Sequence, residues 1–334
     1  MSVDAVVLAI GRSGELRAGG TDVTARQRIG RVGLPLVDLS EVPGLRGIQW
    51  RPDGSARVAA MTMVAEIVAD RRLRAAYPAL TATAAALATP QLRAAGTIGG
   101  NLLQRNRCWY FRNPRFSCFQ TGGTGCPARD GLHLYSAVVD LGPCVAPHPS
   151  SLAMALLAYE GTRVEVHGRG AIPVAELYGD GADPTRDHLL ARGEVLLAIE
   201  LPAPTPGEGA AYHRAIGRAE AEWPLVEAVA RLVLDHPVGL AGAGASEMII
   251  RSAAVAVGGV ARTPLRLTEV EDALVGRPAS ESNLLAAAEP ATLRCTPLPQ
   301  TTYKVALLRD TVVEVLERAV AHACDIREHA RRSD

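Results

Sequence analysis

The chain has 334 residues, of which 48% are hydrophobic and 21% charged, and its 35 basic residues balance its 35 acidic ones. This composition is ordinary for a globular protein of two or three domains, and the balanced charge gives no reason to expect nucleic-acid binding or attachment to a membrane surface. No uncharged apolar run reaches 18 residues and the N-terminal residues lack a basic lead, so we expect neither a membrane span nor a signal peptide.

Short strands and helices are predicted over the first hundred residues. The apolar run 3–10 predicts a buried strand, and residues 36–40 predict another. Residues 48–50 and 56–60 flank a Pro-Asp-Gly turn, which is typical of a β-hairpin. Two helices follow in the prediction, at 62–76 and 78–88.

The remaining elements are predicted on both sides of a proline-rich linker at 202–209. Residues 239–244 contain a faint Gly-x-Gly pattern, which we interpret as a turn because no strand–loop–helix context supports a dinucleotide site. The predicted helices are 152–159, 224–234, 268–275 and 302–324, and the predicted strands are 163–167, 172–177, 194–201 and 248–257.

Two glycine-rich stretches are candidates for contact with an anion. One is the run 18–22, with Gly19-Gly20-Thr21, and the other is 97–101, with Gly99-Gly100. Consecutive glycines let the backbone approach a ligand closely and turn successive N–H groups toward it. Taken alone, the first run is more typical of a tight turn than of a phosphate loop.

Four of the six cysteines lie between residues 108 and 144, in a stretch too rich in glycine and proline for a long helix or a central strand. Clustered thiols in a large chain favour a reducing compartment and a metal site over a disulfide framework. The spacings of nine, seven and seventeen intervening residues lack the close pair of a zinc ribbon. An iron–sulfur cluster, structural zinc and unligated core cysteines are therefore the three interpretations.

Six arginines and no acid lie between residues 91 and 129. One interpretation is that these arginines are solvated loop residues. The other is that they form a surface that faces a diphosphate, the sulfides of an anionic cluster or an acidic partner.

Together the two glycine stretches resemble the paired FAD-binding loops of the flavoprotein (medium) subunit of the molybdenum hydroxylases, the family of xanthine dehydrogenase and carbon monoxide dehydrogenase. Further similarity covers nearly the whole chain. It includes Tyr77-Pro78-Ala79-Leu80, Gln91-Leu92-Arg93, the Ala-Pro-His-Pro-Ser run at 146–150, the run 258–264, and Tyr303-Lys304-Val305. Each motif alone is weak, but several in the same order are a strong signal.

The resemblance implies an α+β fold with two domains. Residues 1–205 would form a two-lobed FAD-binding domain of the PCMH (vanillyl-alcohol-oxidase-like) type, with a cysteine-rich loop at about 104–146. Residues 210–325 would form a smaller α/β domain, of the type found at the C-terminus of the carbon monoxide dehydrogenase flavoprotein.

The resemblance also implies the residues that contact FAD. Ser151 stands where the family typically has an aspartate, Leu197 where an apolar residue packs on the flavin ring, and His213 near a lysine position. The implied contacts are Arg17, Ala18, Gly19, Gly20, Thr21, Asp22, Val23, Gly96, Thr97, Gly99, Gly100, Asn101, Ser150, Ser151, Leu197 and His213.

The cysteines narrow the resemblance to the branch of 4-hydroxybenzoyl-CoA reductase and the periplasmic-type aldehyde oxidoreductases. In that branch the medium subunit carries an additional [4Fe–4S] cluster, and its ligands carry over to Cys108, Cys118, Cys126 and Cys144. Cys295 and Cys324 are interpreted as buried small hydrophobes.

The function that the resemblance implies is electron transfer by an oxidoreductase subunit, and the sequence, in which no general acid–base pair or nucleophile triad is visible, fits that role. Implied partners are a large subunit with the molybdenum cofactor, a small subunit with [2Fe–2S] clusters, and an external electron acceptor or donor. The alternatives are a self-sufficient FAD-dependent oxidase or reductase, and a zinc-stabilised interaction module. We expect a cytoplasmic protein, with export through a partner's signal left open.

Overall fold

A computed structural model describes residues 1–11, 13–235 and 245–333 of the chain. The glycine turn predicted at 239–244 lies outside these residues. The helices are α1 Val3–Ile10, α2 Val23–Gln27, α3 Val64–Ala69, α4 Arg71–Ala76, α5 Pro78–Ala86, α6 Pro90–Ala95, α7 Ile98–Leu102, α8 Trp109–Arg112, α9 Pro127–Asp130, α10 Ser151–Leu157, α11 Thr268–Leu274, α12 Glu281–Ala288 and α13 Tyr303–Ser333.

Three sheets are formed by eleven strands within the described residues. The strands are β1 Glu15–Arg17, β2 Leu36–Asp38, β3 Ile48–Trp50, β4 Ala56–Ala59, β5 Arg163–His167, β6 Gly170–Pro173, β7 Val195–Leu201, β8 Glu208–Ala215, β9 Val226–Asp235, β10 Ile249–Gly258 and β11 Leu265–Arg266. Short 3₁₀ turns lie at Phe119–Thr121, Val174–Leu177, Ala245–Glu247, Glu289–Thr292 and Pro299–Thr301.

The N-terminal lobe is a parallel pair, β1 and β2, covered by α1. The run 3–10 is therefore a helix and not the predicted strand. Its first turn is capped by Ser2, whose side chain accepts a hydrogen bond from the Ala5 amide, and only Val6 and Ile10 are buried. One buried face with caps is the pattern of a surface helix, which the uniformly apolar composition concealed.

The second lobe is an antiparallel five-stranded sheet in the order β3-β4-β7-β5-β6. Its β3–β4 hairpin turns at Gly54, which has a φ of +83°. The helix predicted at 62–76 is two helices, because Asp70 leaves the helical conformation and its side chain caps α4 by accepting from the Leu73 amide. Both α5 and α10 pack against each other at the core of this lobe.

The C-terminal part is an antiparallel four-stranded sheet in the order β11-β10-β9-β8. One face of this sheet packs on α13 and the other on α5 and α10. Residues 226–235 therefore form β9, a central strand buried on both faces, where the sequence predicts a helix over 224–234. A strand buried on both faces loses the polar alternation that identifies strands, so its apolar run is easily read as helical.

None of the helices in the described ranges is long and apolar enough to span a lipid bilayer.

Candidate functional site

The first glycine loop leaves β1 with three backbone amides free. Within the described part of the chain, the amides of Gly19, Gly20 and Thr21 donate to no protein acceptor. A side chain at Gly19 is impossible because its Cβ would lie 1.8 Å from the Ala95 carbonyl oxygen, and Gly20 has a φ of +75°. Three successive unpaired amides are a donor set that fits an anion such as a pyrophosphate.

The second glycine loop contributes fewer free donors. Thr97 caps α7, and its hydroxyl accepts from the Gly100 amide at 3.1 Å. The amides of Ile98 and Gly99 are already bonded to the carbonyls of Thr62 and Ala60. The sequence predicts that the amides of Gly99 and Gly100 face the anion, but in the structure the Gly99 amide donates to the Ala60 carbonyl and the Gly100 amide to the Thr97 hydroxyl. Gly99 instead allows close packing, since its Cβ would lie 2.8 Å from that of Ala60.

These two loops meet, although some eighty residues separate them. A Cβ on Gly19 would come within 3.1 Å of the Gly96 Cα. Residues 18–23 and Thr97, Gly99 and Gly100 line one cavity of about 110 Å³. A second cavity of about 240 Å³ shares Thr21, Asp22, Thr97 and Gly100 with the first and extends toward the C-terminal sheet.

The side chain of Asp22 is engaged by arginines. Its carboxylate pairs with Arg107, with Arg112 at 2.8 Å and with Arg26 at 3.0 Å. Burial opposes its ionisation, but the charges of Arg107, Arg112 and Arg26 outweigh that effect and lower the pKa of Asp22 to about 2. Because Arg107 and Arg112 belong to the cysteine-rich loop, this carboxylate joins that loop to the first glycine loop.

Most arginines of the acid-free stretch 91–129, like Arg107 and Arg112, form ion pairs with acids that lie outside that stretch. Arg105 pairs with Asp187 at 2.7 Å and Arg129 with Asp140 at 2.8 Å, while Arg93 donates to backbone carbonyls. These arginines are therefore mainly structural, although Arg107 also lines the larger cavity.

Some of the other residues predicted to contact FAD line the larger cavity, and others are engaged elsewhere. Ser150 caps α10 and its hydroxyl donates to Asn101 Oδ1 at 2.7 Å. Asn101 and Ser151 line the larger cavity, and Ser151 is buried beside Glu227. Arg17 pairs with Asp38.

Leu197 and His213 are not brought into these cavities. Leu197 is the unpaired residue of a bulge in β7 and packs with the N-terminal lobe, while its neighbours Val195 and Leu196 line the smaller cavity. His213 lies beside Glu314 and Arg318 of α13. The adjacent residue Arg214, on the opposite face of β8, lines the larger cavity instead.

Trp223 is a lining residue that sequence reasoning missed, together with Arg214. Both lie in the C-terminal part of the chain and reach the larger cavity. The Trp223 ring lies 4.4 Å from the Arg107 guanidinium. The available signal was a tryptophan beside a proline after a strand, which by itself does not indicate a ligand.

All four clustered cysteines line a single small cavity between the cysteine-rich loop and the segment that precedes α10. The Cys144 thiol beside Cys126 lowers the pKa of Cys126, and burial raises the pKa of Cys108. The 3₁₀ turn at Phe119–Thr121 places the Thr121 hydroxyl 3.7 Å from the Cys118 sulfur. The structure thus gathers these four thiols, whereas Cys295 and Cys324 lie apart, against the C-terminal core.

Backbone hydrogen bonds to cysteine carbonyls fold this loop. The Arg112 amide donates to the Cys108 carbonyl oxygen at 2.9 Å, and the Arg129 amide donates to the Cys126 carbonyl oxygen at 3.1 Å. Among the described residues, no three His, Cys, Asp or Glu side chains are arranged to hold a single metal ion. A polynuclear cluster needs a wider separation of its sulfur ligands than one ion does.

A second buried network holds the cysteine-rich loop from the other side. Asp187, 1% exposed at its side chain, pairs with Arg105 and, at 2.9 Å, with Arg262. Burial opposes its ionisation, yet the two guanidinium groups hold the pKa of Asp187 well below its usual range. Asn106 and Gln120 of the loop also donate to this carboxylate. Arg262 comes from the C-terminal part, so both parts of the chain position the loop.

Two consecutive parts of the chain match known protein families. Residues 5–204 match the family described as the FAD binding domain in molybdopterin dehydrogenase, and residues 211–323 match the CO dehydrogenase flavoprotein C-terminal domain. The chain is 31% identical to the aldehyde oxidoreductase FAD-binding subunit PaoB of Escherichia coli K12, over 92% of this chain and 91% of that protein. It is 27% identical to the carbon monoxide dehydrogenase medium chain of Hydrogenophaga pseudoflava, over 93% and 91%.

Solved structures share the fold. The chain superposes on a carbon monoxide dehydrogenase from Hydrogenophaga pseudoflava with a TM-score of 0.71 at 22% identity, covering 96% of this chain and 94% of that one. Quinoline 2-oxidoreductase from Pseudomonas putida 86 gives a TM-score of 0.72 at 21% identity, covering 96% and 95%. The predicted α+β fold, an FAD-binding domain followed by a smaller C-terminal domain, is confirmed. The chain belongs to the FAD-binding medium subunits of the molybdenum hydroxylase family, a family of oxidoreductases.

Proposed function

We propose that this chain transfers electrons between the [2Fe–2S] small subunit of a heteromeric molybdenum hydroxylase and an external electron acceptor or donor. The large subunit of that complex would carry the molybdenum cofactor. The observation that carries the proposal is the joint placement of a free-amide glycine loop and a four-thiol loop, tied together through Asp22. Similarity to PaoB, an aldehyde oxidoreductase subunit, supports it.

FAD would bind along the two joined cavities. The amides of Gly19, Gly20 and Thr21 would hold its pyrophosphate, because they are the donors left unpaired at the point where the glycine loops meet. The lining by Ala18, Val23, Thr97, Gly100, Asn101 and Ser151 agrees with the contacts that the sequence predicts. Bound there, FAD would supply chemistry in which electrons are accepted singly or in pairs, and the protein would position it.

Cys108, Cys118, Cys126 and Cys144 would hold the additional [4Fe–4S] cluster. The four cysteines line one cavity. Burial is one of the means by which a protein sets the reduction potential of such a cluster. The ion pairs of the partly buried Asp22 and of the buried Asp187 would fix the loop that carries these ligands.

The test is the visible spectrum, iron content and flavin content of the chain purified without oxygen. We expect flavin absorption peaks on a broad iron–sulfur absorption. Cys118→Ser should lose iron and keep FAD, while Cys295→Ser, a control against the C-terminal core, should keep both. A colourless protein with stoichiometric zinc would contradict the cluster, and turnover of an organic substrate by the isolated chain would contradict the subunit role.

A further inference from the structure

A third cavity, of about 580 Å³, lies between the cysteine-rich loop and the C-terminal part of the chain. Its size is in the range of sites for small organic ligands. Aromatic side chains dominate its lining, and several are exposed: Trp109 at 58%, Tyr135 at 48%, Trp223 at 46% and Tyr303 at 37%. None of these residues has a role in the proposed binding of FAD or the cluster except Trp223, which borders both cavities.

Cys108 lines this cavity on one side, and the same residue lines the four-thiol cavity. On the other side, Glu222, Trp223 and Pro224 separate it from the larger of the cavities assigned to FAD. A molecule bound here would therefore contact the walls of both proposed redox sites.

The charges of the lining exclude a nucleotide. Arg107 is committed to Asp22 and Gln104, and Glu222 is an acid. Lys304 is the remaining cation in the described lining, and it is 1% exposed. Its ammonium nitrogen donates to the Gly259 carbonyl at 3.0 Å and to the Tyr135 carbonyl at 3.4 Å, which leaves one of its three N–H groups without a partner. A single N–H donor beside the faces of aromatic side chains can bind a neutral planar ring that carries a carbonyl oxygen.

We propose that this cavity binds a quinone, which serves as the external electron acceptor of the subunit, with its ring between Trp109 and Trp223 and a carbonyl oxygen bonded to Lys304. This proposal rests on the proposed function. The exchange balances: the quinone gains two electrons and two protons to become a hydroquinone, and the reduced flavin gives up the same two electrons and two protons.

Burial lowers the pKa of Lys304 to about 7, so its ammonium form can release a proton near neutral pH. A proton is needed at the quinone oxygen as electrons arrive. Lys304 would then be both the donor that orients the carbonyl and a relay for that proton, because it takes up in return one of the two protons that the reduced flavin gives up.

The test is calorimetric titration of the full chain with duroquinone, whose fully methylated ring does not add thiols at an open position. We expect one binding site. Trp109→Ala, at an exposed position, should weaken binding at least fivefold, and Lys304→Met should do the same and abolish the pH dependence of binding near pH 7. Leu285→Ala is the control, since Leu285 is also an exposed large hydrophobic residue but lies on α12 outside the cavity.

The iron and flavin contents of the same samples separate the two proposals. Absence of duroquinone binding in protein that contains iron and FAD would overturn the quinone site and leave the proposed function intact. The titration is repeated on the assembled complex with the partner subunits. Binding to the isolated chain that disappears in the complex would identify the cavity as a subunit interface and would overturn the proposal.

Discussion

The carboxylate of Asp22, in the first glycine loop, accepts a hydrogen bond of 2.8 Å from the guanidinium of Arg112, at the end of α8 in the cysteine-rich loop. Ninety residues of sequence separate them. Arg107, from the same loop, pairs with the same oxygen, Oδ1 of Asp22. One partly buried charge thus orients two segments to which different redox groups are assigned.

Asp22→Asn is predicted to destabilise the protein by about 3 kcal/mol, because three guanidinium groups lose the anion that compensates their burial. The free energy of unfolding in urea measures this change. Asp140→Asn removes a half-exposed pair with Arg129 and should cost below about 1 kcal/mol. Equal effects of the two substitutions would show that the Asp22 cluster has no special structural role.

Acid should unfold the protein partly through the same carboxylate. The pKa of Asp22 is lowered from 3.8 to about 2 in the folded state, and that of Asp187 is also lowered. Their stabilisation is therefore complete above the unfolded-state pKa and is lost as pH falls from about 4 toward 2. Unfolding free energies measured across this window should fall steeply, and Asp22→Asn should flatten the curve. An unchanged slope in that variant would contradict the assignment.

Two neutral histidines, of which His148 is buried and His188 partly buried, predict a second pH dependence at higher pH. Burial lowers the pKa of His148 to about 3 and that of His188 to about 4, from the ordinary value of 6.5. Because the unfolded state binds these protons more readily, stability is full above about pH 6.5 and falls as pH decreases, by at most about 1.4 kcal/mol per pH unit for each histidine.

His148→Asn should remove one histidine's share of that slope between pH 6 and pH 4. The amide can still accept from the Ser150 amide, as His148 Nδ1 does at 3.2 Å. A slope that stays the same in His148→Asn would show that His148 does not titrate in this way.

Gly19→Ala is predicted to weaken FAD retention roughly tenfold or more, equivalent to about 1.4 kcal/mol. The added methyl group would meet the Ala95 carbonyl oxygen at 1.8 Å and force the two glycine loops apart. Flavin content after gel filtration measures the effect. Gly125→Ala is the control, because nothing lies within 4 Å of its added Cβ. Full flavin occupancy in Gly19→Ala would separate FAD binding from the contact between the loops.

Local features of the fold could be predicted where a local signal was present. Pro78 at the start of α5, the Pro-Asp-Gly turn before β4 and the apolar face of α13 each indicated the element that forms. Because β9 is buried on both faces, its sequence lacks the polar alternation by which a strand is recognised. Capping by Ser2 favours a helix at α1, where the apolar run predicts a strand. In both cases packing and hydrogen bonds outside the local pattern determined the outcome.

Some residues of the candidate site could likewise be predicted from the sequence, and others could not. Glycine pairs and clustered cysteines are visible in sequence because their chemistry requires those residue types together. Asp187 carries no such signal, since its partners Arg105 and Arg262 are 82 and 75 residues away. Arg214 could not be distinguished from His213 before the register of β8 was known, because adjacent residues of a strand face opposite sides of the sheet.

The arginine cluster around Asp22 also limits how this protein can be re-engineered. Deletion of the cysteine-rich segment would remove two of the three guanidinium partners of the partly buried Asp22 carboxylate. Arg26 would be the partner that remains. Grafting that segment onto a relative would require a matching acid in the host. The cysteine-rich segment is therefore not a detachable appendage, and a shortened chain would have to replace Asp22 as well.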